Sequence, residues 1–149
     1  MSLYLLLKFI HIAAAAVAVG ANVSYAFWLR HAGTDREKLV HTLDGVHRLD
    51  MFLANPAYVL TLLAGIGMLV LGPYPLTAPW VLIAIGLYVL IAVVGITLYA
   101  PAVRRQRDEA LADPNSAAYR AASRRSNLLG MLAVAIVAVI LFLMVVKPG

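Results

Sequence analysis

Apolar residues along this chain do not alternate with polar ones; they gather into four long runs, at about 3–29, 49–72, 80–103 and 126–146. At about 1.5 Å of rise per residue, about 20 residues cross the hydrocarbon core of a bilayer, and each run meets that length. The pattern predicts an all-α membrane protein, a four-transmembrane-helix bundle that takes up residues 1–149 as a single domain. The first run is too long for the apolar stretch of a secretory signal and has no cationic segment ahead of it, so it reads as a retained span. Gly72, Pro73 and Pro75 break the second run into a tight uncharged turn. Trp80 and Tyr99 mark the ends of the third as aromatic belt residues, with Pro101 close behind, and Lys147, Pro148 and Gly149 close the fourth. The polar segments between runs keep a helical period. Leu39, Leu43 and Val46 recur at that spacing, and Asp113 before Pro114 suits an N-cap. Both segments are therefore expected to be helix extensions joined by turns. Pro56 has two readings, the first position of a helix or an interior site that frees a backbone carbonyl.

Composition strengthens the membrane reading. The chain is 63% hydrophobic, with mean hydropathy +0.89, whereas soluble domains are about half apolar. Ten of the twelve basic residues lie in the two segments between runs one and two and between runs three and four. By the positive-inside rule these basic helical loops are cytoplasmic, which puts the N and C termini and the Pro73 turn outside. The expected location is the bacterial cytoplasmic (inner) membrane, crossed several times. A formal charge of +5 does not point to nucleic acid, because the basic residues flank apolar runs and have no interleaved aromatics. Their expected partner is the lipid bilayer and its anionic headgroups. The absence of cysteine excludes disulfides, thiolate metal sites and thioether-linked haem.

Polar residues inside apolar runs cost free energy unless they are paired, which makes them the candidates for chemistry. Lys8, His11, Ala15, Ala18, Asn22 and Tyr25 fall on one stripe of the first helix at about 100° per residue, so this helix is expected to be the packing centre. Ala16, Gly20 and Ser24 form a second small-residue row on a neighbouring face. His11, well inside the outer leaflet, must find a hydrogen-bond partner or a metal. Its bland reading is a packing histidine; its functional reading is a metal or cofactor ligand. His31, His41 and His47 lie about 20 Å or more away along the helix rise, which argues against bis-histidine ligation within one chain. Tyr88 at similar depth and Met68 nearer the outer face remain open as partners. Lys8 reads first as a snorkelling residue. Asn22, Asn55 and Asn127 suggest helix glue, with an interhelical amide cluster as an option. The glycines at 65 and 67 read as a close-packing site.

The opening Leu7, Lys8, Phe9, Ile10, His11, followed by Gly20 and then Arg30, His31, resembles small bacterial four-helix membrane proteins of domain-of-unknown-function family 2269. The resemblance covers nearly the whole chain, including the 56–67 stretch and the closing Met144, Val145, Val146, Lys147, Pro148. More distantly, the first-helix histidine following a lysine is similar to HemJ-type protoporphyrinogen oxidases and copper-resistance CopD membrane proteins. Those oxidases carry a lysine and a histidine in their third helix, where 81–97 here holds neither. What matches implies haem b or porphyrin handling, with His11 as an axial ligand to the metal and Lys8 near a propionate or headgroup. The competing expectation is a non-catalytic scaffold or accessory subunit, packed against a membrane-complex partner or its own copy as a homo-oligomer.

Overall fold

The computed structural model describes residues 2–148 and consists, among them, of four helices and short turns. Helix α1 spans Leu3–Ala32, α2 Arg36–Leu71, α3 Pro79–Ala112 and α4 Ala117–Val146, and all four are long and apolar enough to cross a membrane. The 36 residues of α2 and 34 of α3 extend to about 50 Å at 1.5 Å per residue, well beyond a hydrocarbon core of about 30 Å. Their polar ends therefore project as the expected extensions. Met1 and Gly149, assigned above to the outer side, lie outside the described residues.

Local chemistry sets the helix boundaries. Ser2, Asp35 and Ser116 cap α1, α2 and α4 by accepting from the backbone N–H three residues on. The cap of α4 is therefore Ser116, and not Asp113 as the sequence suggested. Asp113 instead accepts from the N–H of Asn115 at 2.9 Å, an Asx turn that reverses the chain. At the turn between α1 and α2, Gly33 takes φ +62°, a left-handed geometry that a side chain would strain.

Pro56 and Pro101 fall inside continuous helices. Each is preceded by a π-helical segment, Asp50–Ala54 in α2 and Gly95–Tyr99 in α3. There the N–H of Asn55 reaches the carbonyl of Asp50, and that of Ala100 reaches Gly95. A proline ring would press on the carbonyl four residues back; one wider turn relieves the clash and keeps the helix going. The interior reading of Pro56 holds.

Helix α1 packs along α2, and α3 along α4, while α1 also meets α4. Within the apolar region the α2 and α3 backbones do not approach closely, although their polar extensions do. The middle of the bundle is lined by small side chains, with Ala18, Ala54 and Ala84 almost fully buried. Large apolar groups such as Phe9, Val70 and Ile96 face outward, where lipid is the solvent. In the extensions the pattern inverts. Leu39 and Leu43 are each 1% exposed and pack with Ala32, Ala110 and Tyr119, so all four helices contribute to one core. The opposite end is closed by Lys147, which bonds the Tyr74 hydroxyl and lies over its ring, and by the edge-to-face pair of Tyr74 and Trp80. The ammonium of Lys147 beside it holds the Tyr74 phenol below its usual pKa.

Candidate functional site

The polar side chains inside the bundle converge on one stretch of α2. From α1, the ring nitrogen Nδ1 of His11 bonds the Thr61 carbonyl at 2.8 Å. From α3, the Tyr88 hydroxyl donates to the Tyr58 carbonyl at 2.7 Å. Asn22 of α1 donates to the Tyr58 hydroxyl at 3.0 Å and to the Ala18 carbonyl at 2.9 Å. The α2 segment from Ala57 to Thr61 thus binds a neighbour on each side, and Thr61 itself donates to Ala57. In lipid no water competes for these groups, so each is satisfied within the protein.

Glycine makes the approach of His11 to α2 possible. Gly65 lies one turn beyond Thr61, and a Cβ there would sit 3.1 Å from the His11 Nδ1 and Cε1 atoms. Two further knobs of α1 use the same device, because a Cβ on Gly67 would meet Leu7 and one on Gly72 would meet the Tyr4 ring, both at 2.8 Å. The expected close-packing role of Gly65 and Gly67 is what the structure contains. Since a carbonyl can only accept, Nδ1 carries the proton when this bond forms and Nε2 keeps its lone pair. A backbone carbonyl fixing the tautomer in this way is the usual outer-shell arrangement of a ligating histidine. Equally, it satisfies a histidine that only packs.

Of the stripe on α1, Ala18 and Tyr25 are buried and His11, Ala15 and Asn22 half-buried, whereas Lys8 is exposed. His11 and Tyr88 approach the same stretch of α2 from different helices and do not bond each other. Met68 follows Thr61 by seven residues, about 10 Å along the axis. The three asparagines form no amide cluster: Asn22 bonds Tyr58, Asn55 bonds Asp50, and Asn127 is exposed. No three His, Asp or Glu side chains gather as a metal group among the described residues. Asp44 pairs with Arg107 of the other extension.

Sequence reasoning passed over Tyr58, Thr61 and Asp50. Thr61 contributes a backbone carbonyl, for which no residue type is a signal. Asp50 opens the π segment of α2 and accepts from the Asn55 amide at 3.5 Å. Tyr25 is 3% exposed and its hydroxyl has no hydrogen-bond partner among the described residues. An acidic residue at the margin of an apolar run, together with four tyrosines at 25, 58, 88 and 99, was the available clue.

Four apolar helices around a lean, polar-bonded interior define an all-helical, multi-pass integral membrane protein. The family whose description reads "Predicted integral membrane protein (DUF2269)" matches residues 5–148. The chain belongs to that family. No curated protein and no solved structure matches it, so the more distant likeness to the oxidases and copper-resistance proteins gains nothing from these comparisons.

Proposed function

We propose that the protein binds haem b or a related porphyrin in the bacterial inner membrane, with its basic extensions in the cytoplasm and His11 as the protein ligand to the metal. The observation that carries this reading is the bond from His11 Nδ1 to the Thr61 carbonyl, which leaves Nε2 as an intramembrane Lewis base of fixed orientation. An imidazole nitrogen of this kind would suit iron as a donor, and His11 is half-buried at the seam of α1 and α2. When bound, the iron would supply redox or ligand-binding chemistry. The chain's own groups hold the imidazole, set its proton on Nδ1, and place Lys8 three residues outward, where its ammonium can balance a propionate. Tyr88 and Met68 are secondary members of this site.

The test is the absorption spectrum of protein purified in mild detergent from haem-replete cells. A Soret band that disappears in His11→Ala and persists in Lys8→Gln is expected. No band, or a band indifferent to His11→Ala in a variant that keeps its helical circular dichroism, overturns the proposal.

The accessory-subunit reading draws support from one feature. Ala16 and Gly20 are exposed on α1, and a Cβ on Gly20 would meet nothing within 4 Å, so this small-residue row is not used for packing inside the chain. Because the chain has no native cysteine, Gly20→Cys gives a clean probe. Oxidative cross-linking in native membranes is expected if copies associate through this face, and its absence there removes that support.

A further inference from the structure

Two open grooves lie on the surface of α4 at its basic end. One, of about 330 Å³, lies beside Ser123, Asn127 and Met131; the other, of about 560 Å³, is floored by Leu98 of α3 with Leu129. They are adjacent, sharing Arg120, Arg124 and Leu128. Arg120, Arg124 and Arg125 stand on the last two turns before the apolar run of α4, all exposed, and none lies within ion-pairing distance of an acidic side chain among the described residues. Below them Leu98, Leu128 and Met131 are 41%, 54% and 62% exposed. Three guanidinium groups without an acidic partner, of which Arg120 also donates to the Asn115 carbonyl, thus stand next to exposed apolar side chains at the start of the apolar run of α4.

We propose that this end of α4 is a binding site for an anionic phospholipid, whose phosphate is held by Arg120 and Arg124 and whose acyl chain lies along Leu98 and Leu128. Guanidinium forks suit phosphate oxygens, which they engage through two parallel hydrogen bonds. Arg125 extends the positive field on the α3 side, and the amide of Asn127 and hydroxyl of Ser123 provide polar edges for glycerol oxygens. Basic pockets between transmembrane helices on the cytoplasmic side are a recurrent form of headgroup site. An acidic protein segment would satisfy the arginines but would leave the exposed leucines uncovered, so the lipid accounts for more of the surface.

The test uses the full chain in detergent, with phosphatidylglycerol and phosphatidylcholine added in equal amounts and retained lipid read by native mass spectrometry. Preferential retention of phosphatidylglycerol is expected. Arg120→Gln with Arg124→Gln should weaken that preference by about fivefold per charge removed, whereas Arg36→Gln, on α2 and outside both grooves, should leave it unchanged. Equal retention of both lipids overturns the proposal, as does a preference that survives the double variant. Displacement of the lipid by millimolar inorganic phosphate alone would also overturn it, since the acyl floor would then contribute nothing. So would loss of the preference in favour of a co-purifying acidic protein released by the double variant.

Discussion

The projecting end of this bundle and its lipid-embedded middle are built from the same four helices by opposite rules. In the projection, Leu39, Leu43 and Val46 point inward while Arg36, Lys38 and Arg48 face water, the arrangement of a soluble amphipathic helix. In the middle, Ala18, Ala54, Ala84 and Tyr25 point inward while side chains such as Phe52, Val59 and Leu63 point out. Water drives the first arrangement, because removing a leucine from it is favourable. Lipid offers no such gain, so the middle is held by close backbone approach and by polar groups that find partners nowhere else. Helices α2 and α3 carry one rule into the other without interruption, and each marks the passage with a proline-directed π turn.

The strongest way to break the comparison is to delete volume where water drives burial. Leu43→Ala removes a side chain that is 1% exposed in a core drawn from all four helices. A loss of about 2–5 kcal/mol is expected for such a truncation, read as the shift in an unfolding midpoint in mixed micelles. A loss no larger than that of Leu63→Ala, a lipid-facing leucine, would mean that the projection is not a water-driven core. In the middle the damaging change is the reverse, addition of volume. Ala18→Leu, at a position with 0% exposure, should cost about 1–3 kcal/mol by overpacking. Gly20→Leu, at a position where an added Cβ would meet nothing within 4 Å among the described residues, should leave the fold intact.

Legibility follows the same division. The four spans were plain because a continuous apolar run of about 20 residues satisfies its own backbone in lipid as a helix, and the stripe on α1 was plain because a helix has one period. Leu39, Leu43 and Val46 declared the projecting helix by spacing alone. Less visible were features that depend on a partner chosen in three dimensions. Nothing in the sequence says that His11 will reach a threonine carbonyl, or that Gly65 will be the gap through which it does so. Asn22, Asn55 and Asn127 share a residue type and a depth, yet each faces its own surroundings. Gln106, 2% exposed and bonded to Ser123 and Ser126, reads in sequence as one more polar residue of an arginine-rich segment. The membrane orientation still rests on the count of basic residues.

Smaller effects sharpen the picture of the middle. Tyr88 provides a side-chain hydrogen bond between α2 and α3 where their backbones stay apart. Tyr88→Phe should therefore cost about 0.6 kcal/mol, the average for such bonds in a bilayer protein. Tyr58→Phe should cost less, because Asn22 retains the Ala18 carbonyl and the Tyr58 carbonyl still receives Tyr88. Equal costs for the two would argue that the opening between α2 and α3 closes without help.

The smallest expected effect lies at the projecting surface and depends on pH. Arg107 forms a side-chain hydrogen bond with Asp44 and so holds its carboxyl below the ordinary value of 3.8. Arg107 itself is raised by the same contact. A carboxyl whose folded pKa is depressed adds stability that is present in full above the unfolded value and fades as pH falls through the folded one. Both partners are about 40% exposed, so solvent screening keeps the gain well below that of either packing change. Asp44→Asn should melt slightly below the parent protein at pH 7, and the two melting curves should merge once the pH has fallen below the depressed folded pKa of Asp44. Added salt should narrow the gap at pH 7, as screening weakens an exposed pair. A difference that persists in acid would transfer the role of Asp44 from charge to shape, and the contrast between a water-governed end and a lipid-governed middle would then rest on Leu39 and Leu43 alone.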